Sequence, residues 1–271
     1  MSRLETIDDP ADPRLDDFRG LRDEHHRRWI EPARGIFLAE GATVVRRLLA
    51  SGHTTRAVVV TPARWDRMAS VMKGLEVSVY RVPREVLAEV AGFDLHRGVI
   101  ASAERPPDLD VGRVLADSRM VVVLEGINDH ENLGAIFRSS AALGADAVVL
   151  DPTCADPYYR RSVRVSMGGV LVLPFARSSH WPTDLELLRS AGFELVALTL
   201  GENASALGDL QPASRTALLL GAEGPGLAPA TLDRVDHEVT IPMSRGMDSL
   251  NVGHAAAIAI HHLAPKRSRL P

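Results

Sequence analysis

The chain has little of three things that often reveal function: cysteine, aromatic residues and long apolar runs. Cys154 is the only cysteine among 271 residues, which excludes an intramolecular disulfide framework and a cysteine-cluster zinc site, so no metal is expected. Aromatic residues make up 4%, too few for an RNA-binding sheet that stacks bases on exposed rings. No apolar run reaches the ~18 residues that cross a bilayer, and the N-terminus has no signal-peptide core. We therefore expect a cytoplasmic protein with no membrane partner.

The chain also lacks the net positive charge that is typical of a protein that binds a polyanion. The formal net charge is −4, which by itself argues weakly against a nucleic-acid partner. Residues 1–108 contain equal numbers of basic and acidic side chains, so the whole acidic excess lies in the remainder. With 45% hydrophobic and 24% charged residues, the composition is that of a globular protein and excludes disorder across the whole chain.

The order of apolar segments predicts two α/β domains joined by a linker. An acidic N-terminus over 1–20 is expected to be flexible, and strands alternate with helices over 21–104, as in a small α/β layer domain. Two prolines in a polar stretch indicate a linker at 105–117, because proline interrupts regular elements. Residues 118–271 carry nearly continuous apolar strands between helices, the pattern of a mainly parallel sheet that is covered on both faces.

Apolar spacing places individual elements in this second domain. Helices are expected at 133–143, 158–166, 182–190 and 250–263. Strands are expected at 120–124, 147–150, 170–173, 195–198 and 217–220, with a last one through Val239 and Ile241.

Three polar loops follow strands of the second domain, at the sheet edge where open α/β sheets bind ligands. The first contains Asn132-x-Gly134-x-x-x-Arg138 at the start of a helix that Asn132 is expected to cap. An arginine near such a helix start can hold a phosphate with its planar guanidinium. The alternative is that Arg138 is a solvated surface residue without a ligand and that the helix cap has only a structural role.

The second and third loops are individually weak signals. Gly221-Ala222-Glu223-Gly224-Pro225-Gly226-Leu227 lets backbone approach a ligand, but it lacks the spacing of a dinucleotide fingerprint, which disfavours a nucleotide-dependent oxidoreductase. The third loop begins at Ile241-Pro242-Met243 and runs through Ser249-Leu250-Asn251-Val252 into an alanine-rich helix, which Ser249 or Asp248 is expected to cap. The alternative for the second loop is a plain turn, and the alternative for the third is the start of a capped core helix.

Taken together and in this order, the three loops resemble the motifs of the SpoU/TrmH family of RNA ribose 2′-O-methyltransferases, in the SPOUT superfamily. The similarity covers residues 119–264, and Phe37-Leu38-Ala39-Glu40-Gly41 is similar to that family's substrate-binding domain. The resemblance implies a C-terminal SPOUT domain with a deep trefoil knot, preceded by a small α/β substrate-binding domain, and a homodimer formed through the C-terminal domain. It also implies methyl transfer from S-adenosyl-L-methionine to a ribose 2′-hydroxyl of structured RNA.

The resemblance also assigns residues to the site. Arg138 is expected to be the principal catalytic residue. A guanidinium stays protonated, so phosphate binding and stabilisation of alkoxide charge suit it better than a general-base role. Four polar residues are expected to shape the catalytic site: Asn132, Glu223, Ser249 and Asn251. Six residues are expected to line the cofactor: Leu198, Thr199, Gly221, Ile241, Met243 and Leu250.

Two positions depart from the family pattern. Many relatives have serine where this chain has Gly253, and glutamate is common where it has Asp248. If the serine contributes a hydroxyl group, this chain works without it. The neighbouring His254 could compensate, although such a histidine is more often an ordinary helix residue.

Basic clusters are then expected to contact RNA phosphates. An N-terminal domain favours ribosomal RNA over tRNA as the substrate. Two alternatives remain: a non-catalytic RNA-binding or ribosome-assembly protein that retains the fold, and a knotted enzyme that methylates a base nitrogen. The complete set of motif residues disfavours the former, and the ribose-type motif order disfavours the latter. The expected RNA-contacting residues are Arg22, Arg27, Arg28, Arg34, Arg160 and Arg164.

Overall fold

The computed structural model describes residues 3–23, 30–201 and 203–265. Internal contacts divide the chain into two units. Unit 1 consists of Met1–Pro106 and Tyr158–Leu171, and unit 2 consists of Pro107–Pro157 and Val172–Pro271. In the described residues, every helix is too short or too polar to traverse a lipid bilayer.

Unit 1 is built on a five-stranded mixed sheet in the order β1-β4-β3-β5-β2. Only β5 runs antiparallel to its neighbours. The β-branched run in β3 is buried, as expected of a central strand. The strands are β1 (Arg3–Thr6), β2 (Ile36–Glu40), β3 (Thr55–Val60), β4 (Ser78–Arg81) and β5 (Val99–Glu104). Three helices follow strands of this sheet: α1 (Ala42–Ala50), α2 (Pro62–Met72) and α3 (Arg84–Ala91).

The N-terminal segment forms regular structure, so the prediction of a flexible tail over 1–20 was wrong. Strand β1 pairs in parallel with β4, and a 3₁₀ helix covers Pro13–Phe18. Leu15 and Phe18 are fully buried among the core residues of unit 1. The acidic side chains stay at the surface, where Asp12 pairs with Arg14. Widely spaced apolar residues therefore anchor a segment whose average composition is acidic.

Unit 2 is built on a seven-stranded sheet in which all paired strands are parallel. The order is β10-β12-β9-β11-β6-β7-β8. The strands are β6 (Met120–Glu125), β7 (Ala147–Leu150), β8 (Phe175–Arg177), β9 (Glu194–Leu198), β10 (Ser205–Ala206), β11 (Thr216–Gly221) and β12 (His237–Thr240). The predicted mainly parallel sheet is confirmed.

Helices fill the connections between these strands. Short 3₁₀ helices cover Gly169–Leu171 and Leu207–Asp209. The α-helices, numbered along the chain, are α4 (Val111–Leu115), α5 (His130–Leu143), α6 (Arg160–Val165), α7 (Leu185–Ser190), α8 (Pro229–Leu232) and α9 (Val252–Leu263). Of these, α6 belongs to unit 1 and the others to unit 2.

Two predicted elements need correction. The apolar run at 170–173 is not a strand, because Gly169–Leu171 forms a 3₁₀ helix, and the strand paired with β7 is β8. The predicted linker at 105–117 is too long, because its second half forms α4. Asp110 caps this helix, and Val111, Val114 and Leu115 enter the core of unit 2.

The segment 158–171 packs in unit 1, which corrects the predicted continuous domain over 118–271. The ring of Tyr158 lies 4.8 Å from that of Phe37, and its hydroxyl lies 3.3 Å from Nε2 of His53. Arg47 donates a hydrogen bond of 2.6 Å from Nη1 to the carbonyl of Met167. Sequence continuity alone therefore placed this segment in the wrong unit.

Arg160 joins the same segment to a buried carboxylate. Glu40, at the end of β2, is only 5% exposed, and Nη1 of Arg160 lies 3.3 Å from its Oε2. Nη2 of Arg160 donates to the carbonyl of Leu21 at 3.1 Å, and the guanidinium lies over the ring of Phe93. Arg160 thus has an intramolecular role, and its contact with RNA stays a prediction.

We expect Arg160→Ala to destabilise unit 1 by about 3 kcal/mol, because it leaves a buried carboxylate without its cation. Hydrogen exchange of peptides that cover β2 measures this loss. The control is Arg164→Ala on the same helix, since Arg164 is half-buried and its guanidinium makes no hydrogen bond or ion pair with the described residues. Equal protection of β2 in the two variants would contradict a structural role for the pair.

Candidate active site

A cavity of about 740 Å³ opens at the carboxyl edge of the sheet in unit 2. Parallel strands end at a common edge, so the loops that follow β9, β11 and β12 converge there. All six residues predicted to line a cofactor line this cavity: Leu198, Thr199, Gly221, Ile241, Met243 and Leu250. Their contact with a bound cofactor stays a prediction.

Sequence reasoning missed much of the apolar wall of this cavity. Leu220, Leu227 and Leu232 contribute side chains to it, and Ala255 contributes from the second turn of α9. Leu220 directly precedes the glycine-rich loop and Leu227 is its last residue, so their position at that motif was the available signal. Leu232 lies on α8, which no motif indicated.

The glycine-rich loop folds back over the end of β11. The amide of Gly226 donates to the carbonyl of Ala222 at 3.0 Å, which closes the loop. A Cβ atom added to Gly221 would lie 2.2 Å from the carbonyl carbon of Gly226, far inside contact distance. Only glycine fits at position 221, and the close approach leaves loop backbone lining the cavity.

Three predicted site residues, one from each motif, are joined by hydrogen bonds. Nδ2 of Asn251 donates to Oδ1 of Asn132 at 2.7 Å and to Oε1 of Glu223 at 2.8 Å. The backbone amide of Val252 also points to Oε1 of Glu223, at 3.3 Å. The junction thus brings together positions separated by 119 and 28 residues, and Glu223 and Asn251 also line the cavity.

The helix caps differ from those expected. Asp129 caps α5 by accepting from the amides of Glu131 and Asn132, so the prediction that Asn132 is the cap was wrong. Oδ1 of Asn251 accepts from the amide of Gly253 at 3.0 Å and caps α9, in place of Ser249 or Asp248. With its helix capped by Asp129, the side chain of Asn132 is available to meet Asn251.

The other two predicted catalytic residues take no part in the hydrogen bonds of this junction. Ser249 is exposed and lines the cavity. Arg138 is exposed on α5, six residues after Asn132, and does not line the cavity. Within the described part of the chain, the guanidinium of Arg138 makes no hydrogen bond or ion pair, so it is available to an external anion.

Close packing of α5 and α9 explains the glycine at position 253. A Cβ atom added there would lie 2.9 Å from the Cβ of Ala135 and 3.1 Å from Oδ1 of Asn251. A serine at this position would therefore press on α5 and on the oxygen that caps α9. His254, beside it, is exposed on the first turn of α9.

Glu125, which the sequence analysis missed, positions the segment that follows the glycine-rich loop. Its carboxylate accepts from Nε1 of Trp181 at 2.8 Å, from Oγ1 of Thr231 at 3.0 Å and from the amide of Ala228 at 3.2 Å. The only signal was a carboxylate at the end of an apolar strand.

Cys154 has an unreactive thiol. Burial raises the pKa of the Cys154 thiol to about 12, so it stays protonated at neutral pH. Its Sγ donates to the carbonyl of Leu124 at 3.3 Å. A nucleophilic role for this thiol has no support in the structure.

The predicted RNA-contacting arginines of the N-terminal part have varied surroundings. Arg22 is exposed, and Arg34 donates from Nη1 to the carbonyl of Asp16 at 3.3 Å. Arg27 and Arg28 lie outside the described residues. The role of these residues in RNA binding stays a prediction.

The sequence model of the SpoU rRNA methylase family matches residues 119–261, which is more than half of the chain. The chain belongs to this family. The predicted resemblance is thereby confirmed, and the matched residues contain all three loops around the cavity.

Proteins described as RNA or SpoU methyltransferases resemble this chain over nearly its whole length. A Mycobacterium tuberculosis protein described as an uncharacterized tRNA/rRNA methyltransferase is 48% identical over 97% of this chain and 94% of its own length. The 23S rRNA (guanosine(2553)-2′-O)-methyltransferase RlmP of Bacillus subtilis is 25% identical over 96% of this chain and 99% of its own. The SpoU methyltransferase AviRb of Streptomyces viridochromogenes, solved with AdoMet, is 26% identical with a TM-score of 0.76, over 93% of this chain and 96% of that one.

We expect Gly253→Ser to lower the free energy of unfolding by about 1–3 kcal/mol, because the added atoms overpack the contact between α5 and α9. Urea denaturation measures the loss. The matched variant Ala135→Gly/Gly253→Ser removes the opposing methyl group and should recover part of the stability, which a double-mutant cycle quantifies. A stability of Gly253→Ser equal to that of the unmodified chain would contradict close packing here.

Proposed function

We propose that this chain transfers a methyl group from S-adenosyl-L-methionine to a ribose 2′-hydroxyl of ribosomal RNA. The hydrogen-bonded junction of Asn132, Glu223 and Asn251 at the cavity carries the proposal, because it assembles one residue from each of the three motifs. The likeness to RlmP over nearly the full length of both chains supports ribosomal RNA as the substrate and the ribose as the methylated group.

The cavity fits a nucleoside cofactor. Its volume of about 740 Å³ lies within the roughly 300–1,000 Å³ usual for small-molecule sites. An apolar wall that includes Leu198, Leu220 and Ile241 suits an adenine ring, and the backbone of the loop at Gly221–Gly226 offers hydrogen-bonding groups to polar parts. When bound, S-adenosyl-L-methionine supplies an electrophilic methyl group on its sulfonium.

The residues of the chain must then prepare the other reactant. A ribose 2′-hydroxyl is a poor nucleophile at neutral pH, so it has to be held in line and its developing negative charge has to be stabilised. Arg138 is suited to both tasks, since its guanidinium is exposed, has no partner in the described part of the chain and matches the geometry of a phosphate. Asn132, in the preceding turns of the same helix, fixes the helix start to the cavity wall through Asn251.

The same proposal includes the trefoil knot and the homodimer expected from the family. The segment after β12 would thread a loop to form the knot, and unit 2 would form the dimer. Exposed apolar side chains of unit 2 support an interface on this unit: Met247 is 66% exposed, Ile258 on α9 is 44% exposed and Leu250 is 41% exposed.

Transfer of a tritiated methyl group from S-adenosyl-L-methionine into purified ribosomal RNA, followed by mapping of the 2′-O-methylated nucleotide, tests the function. We expect Arg138→Ala to abolish transfer while the affinity for S-adenosyl-L-methionine stays nearly unchanged, because Arg138 lies outside the cavity. The control is Arg113→Ala on α4, another exposed arginine of unit 2. Loss of cofactor binding together with transfer in Arg138→Ala would contradict this role, and absence of transfer by the unmodified chain would refute the function.

For the dimer, we expect Ile258→Glu to yield a monomer in light scattering coupled to size-exclusion chromatography, because it places a charge in an apolar contact. Leu187→Glu serves as the matched control, since Leu187 on α7 is similarly exposed at 46%. A monomeric unmodified chain, or a dimer that persists in Ile258→Glu, would exclude an interface at this position.

A further inference from the structure

One edge of the sheet in unit 1 carries two arginines that no motif indicated. At this edge β2, β3 and β4 end, while β5 begins, as the pairings of Glu40 with Ile100 and of Val60 with Val99 require. Helices α1, α2 and α3 therefore all start there. Arg64 lies in the first turn of α2, and Arg97 lies two residues before β5.

The two arginines lie side by side across this edge. A Cβ atom added to Gly41 would lie 2.9 Å from Cδ of Arg97, so the stem of Arg97 covers the start of α1. A Cβ atom added to Gly98 would lie 2.8 Å from Cγ of Arg64, so Arg64 covers the residue that follows Arg97. The stems of both arginines thus lie at this edge, and we call the pair the Arg64–Arg97 row.

Neither charge of the Arg64–Arg97 row is neutralised within the described part of unit 1, where these two guanidiniums make no hydrogen bond or ion pair. Of the carboxylates on neighbouring segments, Glu40 and Asp94 are engaged elsewhere, while Asp66 on α2 and Glu85 in the first turn of α3 are exposed. Glu40 is buried against Arg160, and Asp94 binds Arg84 and lies 3.2 Å from Nδ1 of His96.

The helix starts beneath the row add to its positive potential. Neither Gly41 before α1 nor Thr61 before α2 places a side-chain oxygen on the first amides, and neither helix has an acidic residue in its first turn. The hydroxyl of Thr61 instead lies 3.3 Å from the carbonyl of Gly98. In unit 2, by contrast, Asp129 and Asn251 cap the long helices with their side chains. The first amides of α1 and α2 therefore keep their partial positive charge, whereas α3 has Glu85 in its first turn.

We propose that the Arg64–Arg97 row binds the sugar–phosphate backbone of the RNA substrate. Planar guanidinium groups without intramolecular partners match phosphate oxygens, and arginines that contact phosphates contribute to affinity through the release of counterions. Arg97 is exposed and Arg64 is half-buried. The inference rests on the proposed function, because it assigns to unit 1 a contact with the RNA that is methylated. It also locates RNA contact away from the basic stretch at 22–34.

The experiment uses the full chain with Arg64→Gln, Arg97→Gln and the double variant, since glutamine retains most of the stem that packs on Gly98 or Gly41. The matched control is Lys73→Gln, which removes one exposed positive charge directly after the last residue of α2, far from the row. Filter binding to purified 23S rRNA is measured over about 50–200 mM KCl, a range in which phosphate contacts strongly affect affinity. Circular dichroism and the affinity for S-adenosyl-L-methionine are measured in parallel.

For each arginine removed, we expect the negative slope of log affinity against log salt to become shallower by about 1. The affinity should fall roughly tenfold. Folding and cofactor affinity should stay unchanged, and Lys73→Gln should bind RNA like the unmodified chain. If the arginine variants match Lys73→Gln in slope and affinity while the unmodified chain methylates RNA, the inference is overturned and the proposed function stands. If the unmodified chain neither binds nor methylates 23S rRNA, both fail together.

Discussion

The geometry of the cavity depends on the hydrogen bonds that the side-chain amide of Asn251 makes. Its nitrogen has two hydrogens, and both are used, one toward Asn132 and one toward Glu223. Its oxygen caps α9. One side chain therefore fixes the starts of two helices and the glycine-rich loop relative to one another. Because all its donors and its acceptor serve this arrangement, aspartate or leucine at this position would break at least one contact.

Much of unit 2 followed from the sequence because its signals are local. Strands buried on both faces are apolar throughout, and a parallel order places the loops after them at one edge. The choice of helix caps, however, could not be predicted. Asp129 and Asn132 lie a few residues apart and are similarly good N-cap residues, and the same holds for Ser249 and Asn251. A tertiary contact, the one between Asn132 and Asn251, distinguishes them, and the local pattern does not contain it.

The errors in the sequence analysis share a physical cause, which is packing between distant segments. Leu15 and Phe18 stabilise an acidic segment by burial that an average over the window conceals. The apolar run at 170–173 satisfies the pattern of a buried strand, yet 169–171 forms a 3₁₀ helix in unit 1. Short apolar runs do not distinguish a strand from another buried element, so only the partner decides.

The return of Tyr158–Leu171 to unit 1 has a consequence for synthesis on the ribosome. Translation at about 5–20 residues per second leaves an interval of about 3–13 s between residues 106 and 171. During that time Glu40 has no Arg160 beside it, and the ring of Phe37 has no Tyr158. Unit 1 therefore cannot complete its core and finish folding before the first strands of unit 2 have been made, although each unit has its own sheet.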